Sequence, residues 1–233
     1  MQVNSSRQYI KLSLGITNCF LIPCGDNYLL VDTSTEKYYK KFKQELSKRS
    51  IDLSQISFIF LTHHHTDHTG FLSRLLEETN AMLIVHEKAL PFLEKGIDNY
   101  EMTGTTALIR FMVRLKKFFR LMATSKAVIP GERAIIIDSD NNDLLRYLHL
   151  PAKIVTLPGH TGDSMSIICD DGNAFIGDAA MNILGFLKLR HRPLVAENPL
   201  EIESSWKKIK FENGKLLHVS HGKFLTIETL ISS

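Results

Sequence analysis

The chain has 233 residues, 44% of them hydrophobic, and its 28 Lys and Arg against 25 Asp and Glu give a formal net charge of +3. That length buries a sizeable core, and the dispersed charge lacks the basic footprint of a dedicated nucleic-acid binder, so no nucleic-acid partner is expected. Three cysteines at no metal-ligand spacing, no signal-peptide pattern and no apolar run of roughly 18 residues argue against a disulfide scaffold and a spanning helix, and predict a soluble, cytoplasmic protein with reduced thiols.

The elements follow in chain order. Ile10-Lys11-Leu12-Ser13-Leu14 alternates apolar and polar, and the apolar runs Cys19 to Ile22 and Tyr28 to Val31 flank turn chemistry at Pro23-Cys24-Gly25-Asp26-Asn27, which predicts a β-meander. Residues 36–49 carry a charged helical pattern, and Ile56 to Leu61 is a buried strand that delivers the chain into His63. A helix over Phe71 to Glu78 and a strand over Met82 to Val85 then give the rhythm of an α/β sheet. Residues 87–126 interrupt it with a helical insert. Within Ala107 to Met122 a wheel gathers Leu108, Phe111, Met112, Leu115, Phe118, Phe119 and Met122 on one arc, opposite Arg110, Arg114, Lys116, Lys117 and Arg120. Strands are predicted at Glu132 to Ile137, Lys153 to Leu157, Met165 to Cys169 and Ala174 to Ile176, with Asp171-Gly172 as a hairpin turn. Asn198-Pro199-Leu200-Glu201 supplies an N-cap, a first-turn proline and a capping Glu for a helix through Trp206. One domain spanning 1–233, insert included, is the expectation.

The strongest chemical signal is Thr62-His63-His64-His65-Thr66-Asp67-His68-Thr69-Gly70. In extended backbone His63 and His65 leave the same face while His64 points away, so two imidazoles reach one cation. Asp67 and His68 fall where the chain turns into the next helix and can serve a second cation beside the first. Neutral imidazoles and carboxylates suit a borderline ion such as Zn²⁺, although Mn²⁺, Fe and Co²⁺ accept the same donors.

Together with later motifs, this cluster resembles the metallo-β-lactamase superfamily. Gly15 to Ile22 and Leu30-Val31-Asp32-Thr33 look like its first hairpin, with Asp32 as the residue that buttresses the site, a position equally usual for a turn former. Leu157-Pro158-Gly159-His160-Thr161, Phe175-Ile176-Gly177-Asp178 and Val219-Ser220-His221-Gly222 look like the later ligand loops. The resemblance implies an α/β (α+β) fold, an αββα sandwich of two mixed β-sheets flanked by helices. It also implies two divalent metal ions, with His63, His65 and His160 around the first, Asp67, His68 and His221 around the second, and Asp178 between them. A metal-bridging hydroxide would then be the nucleophile, with Asp67 or Asp178 moving a proton to the leaving group.

Substrate is less constrained, because members of this family cleave different bonds. The leading expectation is an ester, lactone or thioester with an acyl or apolar portion, the insert serving as a lid and Phe111 and Phe118 touching substrate. The same arc could pack on the sheet, or the basic amphipathic helix could lie on an anionic membrane surface. Arg190, His191 or Arg192 could hold a substrate carboxylate or phosphate, or the segment could be a solvated basic loop. Phosphodiester or phosphonate hydrolysis, and a metal-binding regulatory protein with little turnover, are the alternatives.

Overall fold

A computed structural model describes residues 9–98, 102–118, 124–183 and 190–232, with backbone only at residue 112 and residues 115–118. Its first half comprises β1 (Ile10–Leu14), β2 (Thr17–Cys24), β3 (Asn27–Val31), α1 (Tyr39–Ser47), β4 (Ile56–Phe60), α2 (Thr66–Thr69), α3 (Leu72–Glu78) and β5 (Met82–His86). The insert contributes α4 (Leu90–Lys95), β6 (Thr103–Gly104) and α5 (Ala107–Phe118). There follow β7 (Ala134–Ile137), α6 (Leu144–Tyr147), β8 (Ala152–Thr156), β9 (Met165–Cys169), β10 (Asn173–Gly177), β11 (Val195–Ala196), α7 (Ile202–Phe211), β12 (Leu216–Val219), β13 (Leu225–Thr226) and α8 (Ile227–Ile231).

One sheet runs β1-β2-β3-β4-β5-β7, antiparallel through β3 and parallel from there to β7. The other runs β13-β12-β10-β9-β8, with β10 and β12 its parallel pair. Period-two alternation sorts the strand side chains into layers. Cys19, Leu21, Leu30 and Ile59 face the helices α1 and α3, where Phe42, Leu46, Leu72 and Leu75 cover them. Their neighbours Phe20, Ile22, Leu29 and Phe60 point the other way and meet Ile154, Ile167 and Phe175 between the sheets. Ile168, Ala174 and Ile176 then face α7 and α8 through Ile202, Trp206 and Leu230. Helix, sheet, sheet and helix are thus stacked as an αββα sandwich. A one-residue slip in any of these strands would exchange its two faces.

Three local expectations need correction. Pro23 and Cys24 belong to β2 and pair with Tyr28 and Asn27, so the turn is Gly25-Asp26 alone. Among the described residues the pairing of β1 starts at Leu21, so no described strand needs the donor that Pro23 lacks. Helix α7 starts at Ile202, not beside Asn198. Asn198 caps a turn instead, its Oδ1 accepting from Leu200 N–H, while its own N–H goes to the Gly159 carbonyl.

The third correction concerns the insert, whose described residues do not form one long helical stretch but include α4 and α5 with the short strand β6 between them. β6 pairs with β11, and a Cβ on Gly104 would lie 2.3 Å from the Arg110 backbone nitrogen, so the first turn of α5 rests against β6. That contact turns Ile109 inward and leaves Leu108 60% and Phe111 65% exposed. The described part of the apolar arc therefore does not pack as core. The Phe118 side chain, Phe119 and Met122 lie outside the described residues. Among the described residues no helix is long and apolar enough to cross a membrane.

Candidate metal centre

The ligand loops gather where parallel strands end, the edge at which α/β sheets open a crevice. β4 runs on into Leu61 and Thr62 and then the histidine cluster, while β3, parallel to it, ends beside Asp32. In the facing sheet β10 ends at Gly177-Asp178, and its parallel neighbour β12 leads into Ser220-His221. The two edges approach closely at Gly177, which has φ +55, and where a Cβ would lie 2.5 Å from Thr62 Oγ1. Only glycine takes that backbone shape and that space without strain.

The seven predicted ligand residues converge. His63 Nε2, His65 Nδ1 and His160 Nε2 form a triangle with sides of 3.0, 3.0 and 3.2 Å. Asp67, His68 and His221 form a second group, and His63, His68 and Asp178 link the two. Asp178 Oδ2 lies 3.6 Å from His160 Nε2 and 3.3 Å from His221 Nε2, so one carboxylate faces both groups. His221 Nε2 is 3.2 Å from Asp67 Oδ2.

For His63, His68, His160 and His221, fixed acceptors decide which ring nitrogen points inward. His160 Nδ1 donates to the Val195 carbonyl and His221 Nδ1 to the Ile16 carbonyl, each at 2.8 Å. His68 Nδ1 lies 2.9 Å from Asp32 Oδ2. Thr62 Oγ1 donates to Asp32 at 2.8 Å and so accepts from His63 Nδ1 at 3.0 Å. With Nδ1 carrying the proton, the Nε2 lone pairs of His63 and His160 face each other and cannot share a hydrogen bond. The facing pair calls for a cation, and the triangle's edges are near the roughly 3.3 Å expected between nitrogens on a tetrahedral ion with bonds of about 2.0 Å. His68 Nε2 and Asp178 Oδ1 are buried without a hydrogen-bond partner, which fits the same role. The donor set suits a pair of divalent ions.

Electrostatics divide the centre. Burial, with the crowding of other imidazoles, pushes the His63 and His65 pKa well down, and burial lowers His160 despite Asp178, so this trio is neutral. Burial also opposes charge on His68 and His221, but Asp67 and Asp178 outweigh it, holding His68 well above its usual value and His221 at about 10. Burial would raise Asp67 and Asp178, yet His68 and His221 keep both below the usual carboxylate range. In the second group, protons on imidazole balance the carboxylates that a cation would otherwise balance.

Asp32, 1% exposed and at φ +58, accepts from Thr62 N–H at 2.7 Å as well as from Thr62 Oγ1 and His68. His64 turns out of the centre to Asp163, Nδ1 to Oδ1 2.8 Å. Arg190 and His191 both have positive φ, and the His191 carbonyl accepts from Met181 N–H three residues past Asp178. Of the residues expected to touch substrate, Phe111 and Arg190 are exposed and His191 is half-buried. Sequence reasoning missed Thr62, the Val195 and Ile16 carbonyls, Asn18, whose Nδ2 donates to the Val219 and Gly222 carbonyls, and Asp98, whose carboxylate accepts from Thr66 N–H. Backbone carbonyls carry no residue signature, and Asp98 lies 32 positions from its partner. Thr62, adjacent to His63, was the one the sequence could have offered.

Comparison with known proteins bears on the family and the fold. The family model of the Metallo-beta-lactamase superfamily matches residues 12–194. The "Probable metallo-hydrolase YflN" of Bacillus subtilis is 22% identical over 176 residues, 74% of this chain and 64% of that protein. The chain thus spans somewhat less than two thirds of that relative's length. Among solved structures, ST1585 of Sulfolobus tokodaii, an archaeal metallo-beta-lactamase superfamily protein, superposes with a TM-score of 0.66 at 17% identity, covering 98% of this chain and 85% of that one. TTHA1623, solved in a di-iron-bound form, gives a TM-score of 0.66 at 20% identity, covering 94% of this chain and 96% of its own. At these identities the superpositions speak for the fold.

Proposed function

The chain belongs to the metallo-β-lactamase superfamily, and we propose that within it the chain is a dinuclear metal hydrolase of a small molecule bearing an ester, lactone or thioester. The observation that carries this reading is Asp178 Oδ2, within 3.6 Å of one ligand group and 3.3 Å of the other. His63, His65 and His160 would hold one ion and Asp67, His68 and His221 the other. Such a pair, zinc in our reading, supplies Lewis acidity and makes water acidic enough to serve as a nucleophile near neutral pH.

The chain's own groups divide the remaining work. Asp67 has a side chain 29% exposed, against 5% or less for His68, His160, Asp178 and His221, and so marks the open side of the centre. A carboxylate there can take a proton from the attacking water and return it to the leaving oxygen or sulfur. The exposed Leu108 and Phe111 of α5 favour a substrate with an apolar portion. Arg110 and Arg114, also exposed, favour a phosphodiester as the second reading.

Metal analysis coupled to a panel of lactone, thioester and phosphodiester substrates tests the proposal. We expect two ions per chain and turnover of lactone or thioester that is lost on chelation and in Asp178→Asn. Phosphodiester turnover alone would favour the second reading. Two bound ions without hydrolysis of any class would leave a metal-binding regulatory protein.

A further inference from the structure

Three contacts tie the first half of the insert to the loops that carry the metal ligands. The Phe92 ring of α4 stacks on His64, centroids 4.0 Å apart and planes 14° apart. His64 stands between His63 and His65, and its bond to Asp163 carries this contact on to the loop that follows His160. Next, the Asp98 carboxylate accepts from the Thr66 N–H at 2.8 Å and from the Thr66 hydroxyl at 3.3 Å. Finally, Gly104 of β6 pairs with Val195 of β11, and Thr105 N–H and Oγ1 reach the Leu194 and Pro193 carbonyls at 3.0 and 2.8 Å. The Val195 carbonyl is the acceptor that orients His160.

The second contact bears on the weakest element of the centre. α2, which carries Asp67 and His68, is four residues long and begins at Thr66, and its N-cap residue His65 makes no side-chain capping bond. A single helical turn does not hold its own shape in water, and its first N–H groups need outside partners. Asp98 supplies one from the insert.

We propose that residues 92–98 and 102–105 clamp the metal centre, with Asp98 as a positioning residue that holds the turn bearing Asp67 and His68. The inference rests on the two-metal reading above. Linkage makes the effect reciprocal: an insert that favours metal binding is itself ordered by the metal to the same degree.

Hydrogen exchange of the full chain, metal-free and zinc-loaded, reads the clamp directly. Zinc should slow exchange in 92–98, 102–105 and 193–196 by roughly tenfold or more. In parallel, chelator competition and Co²⁺ absorption spectra are compared for the unsubstituted chain, Asp98→Ala and Asp98→Asn. Asp98→Ala should weaken one of two ions on the order of tenfold and shift its Co²⁺ spectrum, and Asp98→Asn, which keeps an acceptor for Thr66, should restore most of the loss. A purely structural cap would lower stability without moving either readout. Unchanged exchange in 92–98 and 102–105 overturns the proposal, and it decides alone if Asp98→Ala does not fold. Wild-type affinity for both ions in Asp98→Ala overturns it equally. A chain that binds no zinc removes the metal reading and this inference with it, an outcome distinct from two ions held independently of the insert.

Discussion

Asp32 links the two ligand groups, since His68 reaches it directly and His63 reaches it through the Thr62 hydroxyl. Asparagine shares its shape and tolerates its positive φ, but an amide cannot accept from all three donors. Asp32→Asn should therefore fold, lose about 1–3 kcal/mol of stability and bind metal roughly 10 to 100 times more weakly, as urea unfolding and chelator competition would show. Unchanged affinity would mean that Asp32 does not position His63 and His68. His218 gives a separate prediction in acid. Burial and the nearby Lys11 lower its pKa to about 4, whereas the unfolded value is about 6.5. Between those values the unfolded chain binds the extra proton, so stability falls as pH drops from above 6.5 to 4. Replacing His218 by Phe, which fits its stacking on Phe175, should flatten that part of the stability curve by up to about 3 kcal/mol. An identical slope in the variant would refute it.

Among the elements, Gly177 joins backbone conformation to site assembly. Its αL shape and the 2.5 Å approach to Thr62 Oγ1 leave no room for a methyl group. Gly177→Ala should cost about 2 kcal/mol or more, from αL strain of about 1–2 kcal/mol and the displacement of Thr62, with weaker metal binding in the same variant. Native stability in chemical denaturation would contradict this. Strands such as β4 and β9 were legible as short apolar runs because little of either is exposed, and the histidine cluster was legible because its chemistry is local in sequence. The insert was not. Its wheel gathered Leu108 and Phe111 on an apolar arc without saying what that arc meets, and the close approach of α5 to Gly104 of β6, itself paired with β11 about 90 residues away in sequence, decided which side of α5 turns inward. Asn198 likewise had the residue type of an N-cap, yet its backbone bond to Gly159 holds it in a turn ahead of α7.

For the whole molecule, the centre draws its candidate ligands from both halves of the chain and both sheets, so a bound metal would staple one sheet to the other. Free metal at about 100 times its dissociation constant adds about 2.7 kcal/mol to folding, and at about 2–4 °C per kcal/mol for a chain of this size, chelation should lower the unfolding midpoint by about 5–10 °C. A scan with and without chelator measures this, and coincident midpoints would show that the folded chain holds no metal tightly. The most direct test of the central claim is anomalous scattering from a crystal of the metal-loaded chain. Two peaks are predicted, one within the His63, His65 and His160 trio and one among Asp67, His68 and His221, with the Asp178 carboxylate between them. A single peak, or peaks away from Asp178, would contradict the account.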